Sequence, residues 1–198
     1  DMVNWKGKTY IATKNGLFVY SGGNISKQYK KEQGLPSNII LDMDTYDGLD
    51  FIWLATSNGI SKFDGTSFVN YSKNLGLPAK LVTAIHVDRT KSSIVWTGSE
   101  KSGLTRFDDN GFFNFATQDG LPTNSIRDIT QSKDGDLIIA CYNAGVVKYD
   151  GKTFKLFNNG LADKRVILVT NGPDGSIWAG TESAGVGVLN DDQFKMVI

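Results

Sequence analysis

The chain has 198 residues, with 21 lysines and arginines balanced by 21 aspartates and glutamates and a single histidine. Balanced charge without a basic tract removes the electrostatic case for a nucleic-acid partner or an anionic membrane surface. No apolar run approaches the roughly eighteen residues that a spanning helix needs, and one cysteine, Cys141, forms no internal disulfide and shares no metal-ligand spacing with His86.

In chain order the sequence repeats itself. The first repeat, about residues 1–35, carries Tyr10-Ile11-Ala12-Thr13 and Gly16-Leu17 and closes on Gly34-Leu35-Pro36. The second, 36–77, carries Trp53-Leu54-Ala55-Thr56, Gly59-Ile60 and Phe63-Asp64-Gly65, then Gly76-Leu77-Pro78. The third, 78–121, has Trp96-Thr97-Gly98-Ser99, Gly103-Leu104 and Gly120-Leu121-Pro122. The fourth, 122–161, has Ile138-Ile139-Ala140-Cys141, Gly145-Val146 and the imperfect Gly160-Leu161-Ala162. The fifth, 162–198, has Trp178-Ala179-Gly180-Thr181 and Gly185-Val186. The leading residues recur at steps of 43, 43, 42 and 40 residues, and two interleaved motifs in constant phase mark true repeats.

Within a repeat, four apolar stretches are separated by turn residues, as at Asp134-Gly135, Asn143-Ala144-Gly145 and Asp150-Gly151. Each repeat therefore reads as a four-stranded antiparallel meander, and a period near forty with four strands predicts an all-β fold, a β-propeller of five blades in a single domain over 1–198. The apolar rows of the first strand, Ile40, Val82, Ile126, Val166 and Met43, Ile85, Ile129, Val169, lie three residues apart, which predicts a bulge. Tyr10, Trp53, Trp96 and Trp178 are expected to fill the wedges between blades, with the wedge at Ile138 less well filled. A closed five-bladed ring is the expected closure, the alternative being a segment of a larger ring, for example one of seven blades.

The pattern Gly-Leu-Pro-x-Asn, short strand, Asp-Gly, Trp-x-(Ala/Gly)-Thr-x-x-Gly, Asp-Gly-x-x-Phe resembles the two-component regulator propeller repeat over nearly the whole chain. Gly34-Leu35-Pro36-Ser37-Asn38 and Gly120-Leu121-Pro122-Thr123-Asn124 match it best, while Ala162, Ile138, Lys80 and Lys164 depart from it. The resemblance implies an extracytoplasmic sensor region of a bacterial hybrid two-component receptor, periplasmic or at the cell surface, often tuned to carbohydrate. The chain opens at Asp1 rather than methionine and reads as a mature or excised piece.

Chemistry-bearing residues are few. His86 has Asp44, Thr130 and Thr170 at its repeat positions, which describes a strand histidine and not a catalytic base. Asp42 and Asp128 read as hydrogen-bonding groups of the blade, and the Asp-Gly pairs as turns without the further carboxylates of a calcium loop. No catalytic residue, metal site or cofactor is predicted, and a binding module is expected instead of an enzyme.

Positions that vary at one structural level are free for recognition. The loop entering the first strand presents Asn38, Lys80, Asn124 and Lys164. The loop between the second and third strands presents Lys14, Ser57, Glu100, Tyr142 and Glu182, and is one residue longer in the last three repeats. The candidate ligand site is therefore Lys80, Glu100, Lys101, Asn124, Tyr142, Asn143, Lys164, Arg165 and Glu182, suited to a small polar ligand such as a carbohydrate. The competing expectation is a structural scaffold that docks protein partners in a bacterial surface or secretion assembly.

Overall fold

Turn residues cut the chain into short strands that pair with their neighbours in sequence. The structure is a computed structural model and describes residues 1–197; residue 198, at the end of the fifth repeat, lies outside the described residues. The first blade holds β1 (Met2–Trp5), β2 (Lys8–Thr13), β3 (Gly16–Ser21) and β4 (Asn24–Tyr29). The second holds β5 (Ile40–Asp44), β6 (Ile52–Thr56), β7 (Gly59–Phe63) and β8 (Phe68–Tyr71). The third holds β9 (Val82–Val87), β10 (Val95–Ser99), β11 (Leu104–Asp108) and β12 (Gly111–Phe115). The fourth holds β13 (Ile126–Gln131), β14 (Leu137–Cys141), β15 (Gly145–Tyr149) and β16 (Phe154–Phe157). The fifth holds β17 (Val166–Asn171), β18 (Ile177–Thr181), β19 (Val186–Asn190) and β20 (Gln193–Met196). Every sheet is an antiparallel meander in sequence order, so the fold is an all-β propeller of four-stranded blades.

The bulge lies in the first strand of blades two to five. Pairing skips Leu41, Thr83, Arg127 and Ile167, each of which stands opposite no partner. A bulge re-aims the extra side chain, and at Arg127 this matters for the site described below.

Four hydrophobic clusters seal the four seams between successive blades. At three of them the aromatic ring of one second strand meets the third-strand ring of the next blade at an angle. These pairs are Tyr10 with Phe63 at 6.0 Å, Trp53 with Phe107 at 5.8 Å and Trp96 with Tyr149 at 5.9 Å between centroids. At the fourth seam Ile138 stands where the others have a ring; it is fully buried in a cluster with Phe157 and Phe194, and the third-strand residue of the next blade there is Leu189 in place of a ring.

No cluster joins the fifth blade to the first among the described residues. On the outer face of the fifth blade Ile167 and Leu168 are 45% and 53% exposed, and Trp178 is half-buried where Tyr10, Trp53 and Trp96 are buried. On the outer face of the first blade Tyr20, the counterpart of Phe63, is 43% exposed. The closed ring expected from the sequence is therefore corrected: among the described residues the packing corresponds to the alternative, an open arc of five blades, and no aromatic ring faces Trp178.

The first strands line a central cavity of about 480 Å³. Carboxylates there fasten the first blade to the second, the second to the third and the fourth to the fifth. Asp42 Oδ2 accepts the backbone N–H of Ile85 at 2.8 Å and Asp128 Oδ2 that of Val169 at 2.8 Å, with Asp1 Oδ2 and Met43 in the same relation at 3.3 Å. Asp44 Oδ2 likewise takes the Val87 N–H at 2.7 Å. Asp42 and Asp128 are thus hydrogen-bonding groups, as expected, but they act between blades as well as within them. Burial pushes the Asp42 carboxyl up to about 7 and raises that of Asp128 too, against the opposing pull of these N–H donors.

Candidate functional site

Two rows of loops share one end of the arc because backbone hydrogen bonds tie them together. The motif glycines Gly16, Gly59 and Gly103 donate to the carbonyls of Asn38, Lys80 and Asn124 at 2.7, 2.7 and 3.0 Å. At Gly59, with φ of 96°, an added Cβ would collide with the Tyr71 carbonyl, so only glycine brings the loop that close. Tyr142 and Glu182 donate their N–H groups to Ser125 and Arg165, each at 2.9 Å. Asn38, Lys80 and Asn124 therefore tie the two loops together through their backbone carbonyls, whatever side chain stands there.

Over blades three to five the side chains form one chain of contacts. Arg127, lifted by the bulge, donates from Nη1 to Glu100 Oε1 at 2.6 Å and lies over the Tyr142 ring at 4.5 Å. The Tyr142 hydroxyl donates to Glu182 Oε2 at 3.0 Å, and Arg165 Nη1 donates to the same oxygen at 2.6 Å. Arg165 is held from behind by Asp163, whose Oδ1 accepts from its Nε at 3.0 Å, and its Nη2 donates to Ser183 Oγ at 2.7 Å. The guanidinium holds the Asp163 carboxyl well below the usual carboxylate range, and the bond to Glu182 raises the Tyr142 phenol. The result is a pre-ordered strip of alternating charge with one aromatic ring, able to offer paired donors and paired acceptors to a polar ligand.

The predicted residues separate into three groups. Glu100, Tyr142, Arg165 and Glu182 belong to the strip, while Lys80 and Lys101 line a cleft beside it that Glu100 shares. Asn124 belongs to neither, since its Oδ1 accepts the Thr117 N–H at 2.9 Å, as Asn38 does for Lys31 at 2.8 Å. That role staples a loop. Asn143 shapes its own turn with φ of 64°, and Lys164 stands exposed outside the strip.

Arg127 and Asp163 were not among the predicted residues. The signal for Arg127 was the row Leu41, Thr83, Arg127, Ile167, where one charge replaces apolar or small residues in an inner strand.

Groups suited to nucleophilic or acid–base chemistry lie elsewhere, with His86, Asp42, Asp44 and Asp128 on the central cavity and Cys141 in a seam. His86 is buried with Nδ1 3.3 Å from Asp44 Oδ2, and burial lowers its pKa. Cys141 sits in the seam between blades three and four, its thiol pushed up to about 12 by burial.

Blades, cavity and loop face define a β-propeller with a polar strip at one end. Its fold is similar to that of the extracellular domain assigned to the hybrid two-component system BT3049 from B. thetaiotaomicron, at a TM-score of 0.84 and 24% identity over 98% of this chain. A second such domain, BT4673 from the same organism, matches at 0.83 and 19% identity over 99% of the chain. Virginiamycin B lyase from Staphylococcus aureus matches at 0.77 and 14% over 99%. The chain spans 29%, 30% and 69% of those three chains respectively. No protein-family model and no curated protein matches the sequence. Extracellular domains of two-component systems and a lyase thus share this scaffold, and fold alone does not separate their functions.

Proposed function

We propose that the chain is a non-catalytic, ligand-sensing propeller module of an extracytoplasmic receptor, and that it takes a small polar ligand, most simply a carbohydrate. The carrying observation is the strip from Glu100 through Arg127, Tyr142 and Glu182 to Arg165. These side chains do not build the blades, they are ordered by one another before any ligand arrives, and they stand on loops anchored to rigid strands. Fold similarity to extracellular domains of hybrid two-component systems supports the location and the sensing role. Among the described residues no helix is long and apolar enough to cross a membrane, so a signal from this module has to pass through other segments.

A glycan array, followed by titration of its hits, tests the reading. Replacing Tyr142 and Arg165 together by alanine abolishes binding while the melting temperature holds, whereas Lys14→Ala with Asn58→Ala on the first two blades leaves binding intact. Normal binding by both double variants places the site elsewhere.

A second reading, a scaffold that docks protein partners, draws on the exposed Tyr20, Ile167, Leu168 and half-buried Trp178 of the two outer faces. PorZ of Porphyromonas gingivalis, a surface component of the type-IX secretion system, shares the fold at a TM-score of 0.73 and 19% identity.

A further inference from the structure

We propose that the cleft between the second and third blades on the loop face is an anion site, which takes the carboxylate of an acidic sugar. The inference rests on the ligand-binding reading above and specifies the class of ligand. The cavity measures about 330 Å³; Lys73, Lys80 and Lys101 surround it, and Pro78, Ala79 and Leu81 supply apolar wall. All three lysines are exposed, and none is in an ion pair among the described residues. Glu100 is the one acidic residue lining the cleft, and its charge is answered by Arg127 at 2.6 Å. The cleft therefore holds three positive charges with no counter-charge of their own.

Comparison among the blades shows what is missing there. In the sister loops an asparagine oxygen takes a backbone N–H: Asn38 that of Lys31, and Asn124 that of Thr117. The equivalent of those asparagines is Lys80, and the equivalent backbone N–H is that of Lys73. An ammonium carries three donors and no acceptor, so the substitution that removes the loop's own acceptor also installs a cation beside the donor it leaves. No side-chain acceptor for the Lys73 N–H is present among the described residues. A carboxylate oxygen from outside restores the lost hydrogen bond, and the Lys80 and Lys101 ammoniums complete it as charge-assisted contacts. A sugar ring carrying that carboxylate lies with its apolar face toward Pro78 and Leu81.

The test uses the whole chain, labelled for amide NMR, with 4-nitrophenyl β-D-glucuronide as probe and the neutral 4-nitrophenyl β-D-glucoside as its control. The glucuronide shifts the Lys73 and Lys101 amides saturably, and the glucoside does not. Lys80→Asn, which installs the residue the sister blades use, weakens the response roughly tenfold, equivalent to about 1.4 kcal/mol, without unfolding the protein. An unmoved Lys73 amide, an equal response to the glucoside, or full binding by Lys80→Asn overturns the proposal. Lys14→Ala with Asn58→Ala keeps the glucuronide response because neither residue lines the cleft. If Tyr142→Ala with Arg165→Ala spares binding of array hits while the glucuronide still shifts the Lys73 and Lys101 amides of the unaltered chain, the strip has failed as a site while the anion cleft stands.

Discussion

Truncation of Trp53 and of Trp178, measured side by side on this chain, reports whether the arc is open. Both residues hold the same repeat position, yet Trp53 is 4% exposed and wedged among Tyr71, Phe107 and Phe51 at 5.6, 5.8 and 6.3 Å. A buried indole removes 150–250 Å² from water, a ceiling of roughly 4–6 kcal/mol at about 25 cal/mol/Å². Replacement by alanine leaves a cavity, and the expected loss is about 3–5 kcal/mol. For a domain of this size that lowers the melting temperature by roughly 10 °C. Trp178 is half-buried and loses chiefly its bond to Ser176 Oγ at 2.8 Å, so its truncation costs about 1 kcal/mol. Urea unfolding followed by tryptophan fluorescence and far-UV circular dichroism measures both. Equal losses for Trp53→Ala and Trp178→Ala would show that the outer face of the fifth blade is covered, and the open-arc account would fall.

Conservative changes separate packing from hydrogen bonding at the same position. Trp96 Nε1 donates to Asp88 Oδ2 at 3.2 Å while Trp53 Nε1 has no partner, so Trp96→Phe is expected to cost about 1–3 kcal/mol more than Trp53→Phe in urea midpoints. Asp42 supplies a pH signature. Its folded carboxyl titrates near 7, above the ordinary 3.8, so between those values the folded state keeps a proton that the unfolded state has released, and stability falls as pH rises through about 7. Urea midpoints at pH 5 and pH 8 should drop for the native chain and drop less for Asp42→Asn; parallel behaviour of the two contradicts the assignment.

Much of the blade was legible because its signals are local. Turn glycines, strand lengths and the four-strand period depend on neighbours within about forty residues, and even the bulge was written in the three-residue offset between Ile40 and Met43. What depends on the adjoining blade was harder to see. Trp178 and Trp53 look alike in sequence, and only the presence or absence of a facing third-strand ring decides which is buried. Ile138 is fully buried without a ring at its position, and the third-strand residue of the next blade at that seam is Leu189, 51 positions away, where the other seams have a ring. Asn38 and Asn124 looked like recognition residues because they alternate with lysines, but a carboxamide that caps a backbone N–H and one that faces a ligand are the same letter. Arg127 escaped notice for the opposite reason: in strict alternation its side chain belongs to the strand, and the bulge hands it to the face.

The carboxylate fastenings between first strands have a direction, and direction has consequences for growth by duplication. Asp1 reaches forward to Met43, Asp42 to Ile85 and Asp128 to Val169; each acceptor belongs to one repeat and each donor is a main-chain group of the following one. Because the receiving half is backbone, any copy of the unit can occupy that place whatever its side chains. A gene segment of one period therefore brings its own clasp and needs no matching change in its neighbour, so blades can be gained or lost singly and each newcomer is free to vary its loops from the start. Ala84, which has lost the clasp, indicates that one link in the series can be given up once the hydrophobic seam beside it is secure.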